Sequence, residues 1–217
     1  MKEINGIKYL ERKPTIETDN PFLYLLIHGY GSNEADLFSF AQDLPAQAHV
    51  VSIQGRFDVM FGGYAWYALD FVDGVKMVNY EEGVESRDAI VNFIDTINHQ
   101  EKLDSSNVCI SGFSQGAILS YAIALKYPEK IKNVLILSGY PEKQFLEDVA
   151  LDQDYSHLNF FASHGIEDVV LPIEAGRSGK QLLDELQINN EYHEYRSGHG
   201  IVPQNYHDML NWIKKYS

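Results

Sequence analysis

Short apolar runs alternate with longer helix-like stretches along this chain, and that alternation limits the fold more than any other feature of the sequence. The runs are continuously apolar, which predicts strands buried on both faces of a sheet. The predicted strands cover residues 22–27, 50–53, 108–110, 134–137 and 158–162, with a further strand at 191–196; the predicted helices cover 82–97, 115–127, 172–186 and 203–216. This order predicts a mostly parallel sheet with helices on both faces and functional residues at the carboxyl ends of strands.

The length and composition predict one folded domain over residues 1–217. The 217 residues are 45% hydrophobic, and no repeat, low-complexity tract or Gly/Ser-rich linker marks an internal boundary. The 31 acidic residues outnumber the 17 basic ones, and the resulting net charge of -14 disfavours nucleic acids and anionic membrane surfaces as partners. No apolar run has the length of a membrane span or of a signal-peptide core, so we expect a cytoplasmic protein without stable membrane insertion.

The motif Gly112-Phe113-Ser114-Gln115-Gly116 joins a predicted strand to a predicted helix. A serine at the tip of so tight a turn takes a strained backbone conformation, and glycines two residues before and after it avoid side-chain clashes. The turn exposes the Ser114 hydroxyl, and the start of the helix offers the Gln115 amide N–H and a partial positive charge to an oxyanion. In this context the G-x-S-x-G pattern predicts a nucleophilic serine. A Gly/Ser-rich turn without chemistry is the alternative.

A second oxyanion donor is expected in a loop after an early strand. Residues 25–33, LLIHGYGSN, supply such a loop at the end of the first predicted strand. The glycines on either side of Tyr30 let the chain turn back over the strand end, which would bring the Tyr30 amide N–H to the site. A glycine-rich turn capped by Asn33 needs no function to explain it, so the residues alone leave both interpretations open.

One of the eight histidines is expected to activate the serine, because a hydroxyl is a weak nucleophile until a base takes its proton. His199 lies between two glycines in a loop between the last predicted strand and the last helix, where it is free to reach Ser114. His28 and His164 precede glycines at strand ends and are predicted to hold loops by hydrogen bonds. The others are predicted to be surface residues: His49, His99, His157, His193 and His207.

In chains with this nucleophile turn, the acid that orients the base lies between the serine and the histidine. Asp168 meets this condition in the loop after the predicted strand 158–162, and so does its neighbour Glu167. The other candidates lie in an acidic, solvated segment or inside a predicted helix: Asp148, Asp152, Asp154 and Asp184. Spacing alone does not separate Glu167 from Asp168.

With these residues in this order, the chain resembles the carboxylesterase, phospholipase and acyl-protein thioesterase family of small α/β-hydrolases over most of its length. Four blocks carry the resemblance: LIHGYG at 26–31 with Asn33 and Asp36, GFSQGA at 112–117, His164-Gly165 with Asp168 and VLP at 170–172, and Gly198-His199-Gly200. In that family the residues that match Ser114, Asp168 and His199 form a catalytic triad. Backbone amides that match Tyr30 and Gln115 form the oxyanion hole. The resemblance therefore selects Asp168 over Glu167 and implies the α/β-hydrolase fold.

The resemblance also implies hydrolysis of carboxylic esters through an acyl-enzyme, without a metal ion or other cofactor. A weaker match at 63–67, GYAWY, implies that Tyr64, Trp66 and Tyr67 lie beside the substrate. The chain continues Ala68-Leu69-Asp70 where a W-F-D run is common, and this difference bears on substrate preference rather than on chemistry. The connection between residues 138 and 157 is too short for a large cap domain, which predicts an open cleft.

Three kinds of function fit these residues. We expect a carboxylesterase that acts on a small-molecule ester or thioester, as a monomer or homodimer. An acyl-protein thioesterase or a lysophospholipase-like enzyme shares every catalytic residue with it and remains an alternative. A catalytically silent binding protein on the same fold is disfavoured because all three members of the triad are present.

Overall fold

One eight-stranded sheet forms the centre of the protein in the computed structural model, which describes residues 1–72 and 75–216. The strands of the described residues are β1 (Lys2–Ile4), β2 (Ile7–Arg12), β3 (Phe22–Ile27), β4 (Ala48–Ile53), β5 (Phe57–Val59), β6 (Gly63–Ala65), β7 (Leu69–Val72), β8 (Val75–Val78), β9 (Cys109–Phe113), β10 (Asn133–Leu137), β11 (Asn159–Gly165) and β12 (Asn189–Tyr195). The central sheet has the order β1-β2-β4-β3-β9-β10-β11-β12. All pairs from β4 to β12 are parallel, whereas β1 and β2 extend one edge through antiparallel pairs.

The central strands are buried on both faces, as their continuous apolar sequences predict. Every residue of β3, β4 and β10 is buried. The carboxyl ends of the central strands are aligned: Ile27, the last residue of β3, pairs with Gly112, and Leu137, the last residue of β10, pairs with Phe113. The loops that follow β3, β9 and β11 therefore meet at one edge of the sheet, which is where a parallel sheet places its functional residues.

Helices cover both faces of the sheet. They are α1 (Ala35–Phe38), α2 (Tyr80–Glu101), α3 (Gln115–Lys126), α4 (Ile173–Glu185) and α5 (Pro203–Tyr216). The apolar core on one face contains buried residues of α2, α3 and α4, and the core on the other face contains residues of α1 and α5. Every residue from 115 to 125 of α3 is buried. The predicted sheet with helices on both faces is confirmed.

The helix boundaries follow local sequence signals. The Asn79 side chain accepts a hydrogen bond from the Glu82 N–H at 3.1 Å and caps the start of α2. This helix ends at Lys102, which adopts a left-handed conformation with φ of 55°. Helix α3 ends just before Pro128, which cannot continue it, and α5 begins at Pro203.

Among the described residues, three antiparallel strand pairs occur where no regular structure is predicted from the sequence. The hairpin of β1 and β2 turns at Asn5 and Gly6, with φ of 51° and 80°. Two successive left-handed residues are what a tight hairpin turn with the strands' own twist requires, and Asn-Gly is the preferred pair. The other two pairs, β5 with β6 and β7 with β8, follow β4 outside the central sheet.

The connection from β10 to β11 is short and contains a single 3₁₀ turn, at Lys143–Leu146. No cap domain is inserted there, as predicted from its length. Among the described residues no helix combines the length and the apolar character needed to cross a membrane.

The prediction that His49 is a surface residue is wrong. His49 lies within β4, is 1% exposed, and has its Nε2 atom 3.1 Å from Glu11 Oε2 on the neighbouring β2. Burial lowers the pKa of His49, although the Glu11 carboxylate opposes that shift. The strand extends two residues further towards its amino end than its apolar core indicates, so His49 enters the buried sheet.

Candidate active site

Ser114 lies in the tight turn between β9 and α3. Its φ of 53° and ψ of -116° fall in a region that serine rarely occupies. A Cβ atom added to Gly112 would lie 2.3 Å from Gly116 O, and one added to Gly116 would lie 2.0 Å from Ile27 O. Only glycine fits at either position, because both neighbours are backbone atoms that cannot move independently.

His199 reaches Ser114 from the loop between β12 and α5. Its Nε2 atom lies 3.0 Å from Ser114 Oγ. The Glu167 N–H donates to Ser197 O at 2.9 Å, which fastens the His199 loop to the loop that follows β11. The Phe113 ring lies 5.0 Å from the imidazole and supports it from one side. The His199 side chain remains 16% exposed, so the imidazole is close to the protein surface.

Asp168 completes a hydrogen-bonded chain behind His199. Its Oδ2 atom lies 2.7 Å from His199 Nδ1, and its Oδ1 atom accepts the N–H groups of Val170 and Leu171 at 2.9 Å each. Burial raises the pKa of Asp168, but the hydrogen bonds from Leu171, His199 and Val170 outweigh burial and hold the pKa below its ordinary value. The ionised carboxylate can only accept, so His199 Nδ1 carries the proton and Nε2 accepts from the Ser114 hydroxyl.

His164 lies buried beneath the Asp168 loop. Its Nε2 atom is 2.8 Å from Leu171 O and 3.5 Å from Asp168 Oδ2. Because a carbonyl oxygen only accepts, Nε2 carries the proton and donates to Leu171 O. The predicted loop-holding role of His164 is confirmed, since Leu171 supplies one of the two N–H groups that bind Asp168.

His28 holds the loop after β3 in a similar way. The Gly55 N–H donates to His28 Nε2 at 2.9 Å, so the proton lies on Nδ1, which donates to Gly29 O at 2.7 Å. Burial lowers the pKa of His28 and favours this neutral form. The loop-holding role predicted for His28 is also confirmed.

Tyr30 lies in this loop, immediately beside Ser114. A Cβ atom on the preceding Gly29 would lie 3.1 Å from Ser114 Cβ, so the loop backbone packs directly against the serine. The following Gly31 donates its N–H to Tyr64 O at 2.9 Å, which ties the loop to β6. Tyr30 and Ser114 line the same cleft. The second predicted donor, at position 115, is the first residue of α3, whose N–H has no partner within the helix.

The Gln115 side chain has a role that the sequence analysis does not identify. It is buried, accepts the Trp66 N–H at its Oε1 atom at 3.0 Å, and donates from Nε2 to Tyr67 O at 2.8 Å. The residue at the start of α3 therefore also fixes the segment that forms one wall of the cleft. The signal in the sequence is weak, because a glutamine at a helix start is ordinarily solvated.

The cleft beside Ser114 has a volume of about 620 Å³. Its apolar walls include Tyr67, Leu69, Ile118 and Leu171, and its mouth includes Tyr30, Val169 and Val170. Val169 is 93% exposed and Val170 is 60% exposed, so an apolar rim surrounds part of the opening. The volume lies within the range of about 300–1,000 Å³ that is typical of small-ligand sites.

The three aromatic residues predicted beside the substrate have different surroundings. Tyr67 lines the cleft. Trp66 is fully buried, and its indole N–H donates to His28 O at 2.9 Å, so it supports the site from beneath and does not line it. Tyr64 lies outside the cleft's lining and holds the Tyr30 loop through its backbone. A motif match alone does not distinguish a residue that lines a cleft from one that packs behind it.

Within residues 1–72 and 75–216, no group of three His, Cys, Asp or Glu side chains is arranged to hold a metal ion. The parallel sheet, the strand-to-helix turn at Ser114 and the loops that carry Asp168 and His199 define an α/β-hydrolase fold. The chain belongs to the phospholipase/carboxylesterase family, whose sequence model matches residues 17–217. The family resemblance predicted from the four sequence blocks is confirmed.

The individual relatives share low sequence identity with this chain. Acyl-protein thioesterase 1 of Kluyveromyces lactis is 25% identical over 207 residues, which cover 88% of this chain and 90% of the relative. A probable carboxylesterase of Oryza sativa is 32% identical over 112 residues, covering 50% of this chain and 47% of the relative. The crystal structure of the Bacillus cereus carboxylesterase superposes with a TM-score of 0.83 at 22% identity, covering 98% and 96% of the two chains. This last similarity shows the fold.

Proposed function

We propose that the protein is a serine esterase that hydrolyses carboxylic esters through an acyl-enzyme. One observation carries the proposal: Ser114 Oγ, the His199 imidazole and the Asp168 carboxylate form a continuous hydrogen-bonded chain that ends in an open cleft. Packing does not require this combination, in which a buried ionised acid holds a base that faces a strained serine at the start of a helix. The combination is what nucleophilic acyl transfer requires.

In this mechanism His199 Nε2 takes the Ser114 hydroxyl proton while Oγ attacks the acyl carbon. The electron pair of the carbonyl bond moves to its oxygen, where the Tyr30 and Gln115 N–H groups stabilise it. The intermediate collapses, the bond to the leaving group breaks, and His199 gives its proton to the departing oxygen. Water then attacks the acyl-enzyme by the same steps, and the acid is released. Asp168 stays ionised throughout and stabilises the imidazolium.

The cleft supports a preference for a medium-length apolar acyl group. Leu69, Ile118 and Leu171 give its inner walls an apolar character, and burial of each methylene contributes about 0.8 kcal/mol. We expect activity to rise from acetyl to medium-chain esters and to fall once the acyl chain extends beyond the cleft.

The test is hydrolysis of p-nitrophenyl esters of increasing acyl length by the wild type, Ser114→Ala and Ser178→Ala. Ser178 is an exposed serine on α4 and provides a matched control. We expect Ser114→Ala to lose about 10³- to 10⁶-fold in kcat and Ser178→Ala to retain wild-type activity. A fluorophosphonate should label the wild type and not Ser114→Ala. Undiminished turnover by Ser114→Ala would overturn the mechanism, and absent turnover with absent labelling would favour a non-catalytic binding protein.

A thioesterase is the second candidate, favoured by the exposed Val169 and Val170 at the cleft mouth and by the relatives named acyl-protein thioesterase. An apolar rim suits substrates whose acyl chain arrives from a peptide or lipid surface. Oxygen esters and thioesters with the same acyl chain should be compared directly, including an S-acylated cysteine peptide. A kcat/KM for the peptide at least about ten-fold above that for a small-thiol ester would favour this candidate over a small-ester esterase.

A further inference from the structure

A second cleft, which Phe113 helps to line, is separate from the cleft described above. Its volume is about 270 Å³, below the range of about 300–1,000 Å³ typical of drug-sized ligands. It is lined by Asp36, Leu37, Phe40, Phe113, Gly200 and Ile201. Space of this size suits a small group and not an extended chain.

This second cleft is lined by chain neighbours of both reacting side chains, whereas Ser114 and His199 themselves line the larger cleft. Phe113 precedes Ser114, and its ring lies 5.0 Å from the His199 ring. Gly200 and Ile201 directly follow His199. In the proposed mechanism the leaving group takes its proton from His199 Nε2 and must lie beside that residue. With the acyl chain in the larger cleft between Tyr67 and Ile118, we place the far end of the leaving group in the second cleft, next to Phe113 and Gly200.

The chemistry of the second cleft favours a cation. Phe40 and Phe113 supply aromatic rings, and Asp36 supplies a carboxylate at the exposed edge. A carboxylate and aromatic faces around one small space are the elements with which proteins bind quaternary ammonium groups. Asp36 accepts a hydrogen bond from Ser32 Oγ at 2.7 Å, which is compatible with its negative charge. The net charge of -14 also attracts cations and repels anionic groups.

We propose that the second cleft is a leaving-group subsite that selects esters of small cationic amino alcohols, with a quaternary ammonium group seated between Phe40, Phe113 and Asp36. The inference rests on the proposed esterase function and specifies its substrate class. The acyl part is set by the larger cleft, and the alcohol part by the smaller one.

The experiment compares a choline ester with the 3,3-dimethylbutyl ester of the same acid, which has the same shape without the charge. Both substrates form the same acyl-enzyme, so a difference in kcat/KM arises before the alcohol has left. Both esters carry the acyl chain that the enzyme hydrolyses fastest as a p-nitrophenyl ester. Each kcat/KM is divided by the rate constant for hydrolysis of the same ester by hydroxide, which removes differences in intrinsic reactivity. We expect the corrected kcat/KM to be about ten-fold higher for the choline ester.

Variants locate the source of this preference. Asp36→Asn keeps an acceptor for Ser32 and removes the charge, so it should reduce the choline preference to about three-fold or less. Phe40→Leu should reduce it as well. Asp152→Asn removes the same charge from an exposed position outside both clefts and should leave the preference unchanged. Equal corrected rates in the wild type, or a preference unchanged in Asp36→Asn, would overturn the inference.

Product inhibition tests the inference without a variant. Choline should inhibit the wild type at a concentration about ten-fold lower than 3,3-dimethylbutan-1-ol, and equal inhibition would contradict the subsite. Failure of the subsite is distinct from failure of the proposed function. Serine-dependent hydrolysis of p-nitrophenyl esters without a choline preference overturns the subsite alone, whereas no serine-dependent hydrolysis of any ester overturns both.

Discussion

Asp168 and Glu167 are neighbours in the chain, but their side chains have different surroundings. Asp168 is buried and accepts three hydrogen bonds, one from His199 and two from backbone N–H groups. The Glu167 side chain is exposed, and its backbone N–H fastens the loop to Ser197. Spacing along the chain does not separate the two carboxylates. The family resemblance selects Asp168, and the local turn geometry explains why Asp168 and not Glu167 faces His199.

Replacing Asp168 by asparagine should lower kcat by about 10³- to 10⁴-fold, because an amide in this position favours the wrong His199 tautomer. KM should change little, since Asp168 does not contact the acyl group in the proposed mechanism. The matched change Glu167→Gln should leave kcat within about three-fold, as expected for an exposed surface residue. Steady-state kinetics with a p-nitrophenyl ester measures kcat and KM for both variants. A large loss in Glu167→Gln with little loss in Asp168→Asn would reverse the assignment.

The residues of the candidate site differ in how clearly the sequence marks them. Ser114 and His199 stand out because their flanking glycines mark turns that free a side chain. Trp66 has no such marker, and its place beneath the cleft depends on a hydrogen bond to His28, 38 residues away along the chain. The Gln115 side chain likewise binds backbone groups 48 and 49 residues away. Contacts of this kind leave no periodic pattern, so only a structure identifies them.

At the scale of elements, the connection from β10 to β11 is held against α2 by a buried cation. The Arg87 side chain is 1% exposed, and its guanidinium donates to both Asp148 oxygens at 2.7 and 2.8 Å and to Phe145 O at 3.0 Å. Phe145 in turn packs edge-on against Tyr67, with ring centroids 5.1 Å apart. This connection therefore supports the wall of the larger cleft.

Asp148→Asn should lower the free energy of unfolding by about 1 kcal/mol at pH 7, a value close to that of surface pairs because Asp148 is half exposed. Hydrogen bonds from Arg87 lower the pKa of Asp148 from 3.8 to about 2. A carboxylate with a lowered pKa stabilises the fold above its unfolded pKa and loses that effect as pH falls through its folded pKa. The difference between wild type and variant should therefore be constant above about pH 5 and shrink towards pH 2.

Urea unfolding measured across this pH range provides the test. Asp152→Asn, an exposed change in the same connection, serves as the control and should follow the wild type. A difference between wild type and Asp148→Asn that stays constant down to pH 2 would mean that the Asp148 charge does not stabilise the connection.

The elements themselves were predictable to different degrees. Strands β3 and β10 and helix α3 lie within about one residue of their predicted bounds, because each is a continuous apolar run whose length and flanking residues mark its type and its ends. The hairpin at Asn5 and Gly6 carried a strong short turn signal, but its strands mix charged and apolar residues and show no continuous run. Strands β5 to β8 are three or four residues long, too short for the alternation of apolar and polar residues to identify them as strands.

At the scale of the whole molecule, the two apolar cores share one sheet, and we propose that they unfold together as a single domain. The two tryptophans of the chain allow a direct test, since Trp66 lies in one core and Trp212 in the other. If either layer of helices unfolds, one apolar face of the sheet becomes exposed to water, which destabilises the sheet and therefore the other core.

In Trp212→Phe the tryptophan fluorescence comes from Trp66 alone, and in Trp66→Phe it comes from Trp212 alone. Within each variant the fluorescence transition in urea should coincide with the far-UV circular dichroism transition, which follows both helix layers at once. The two variants will have different midpoints, because each loses different contacts, but the agreement between probes within a variant does not depend on its midpoint. A fluorescence transition that precedes the circular dichroism transition in either variant would show that this core unfolds by itself, and the single cooperative domain would be wrong.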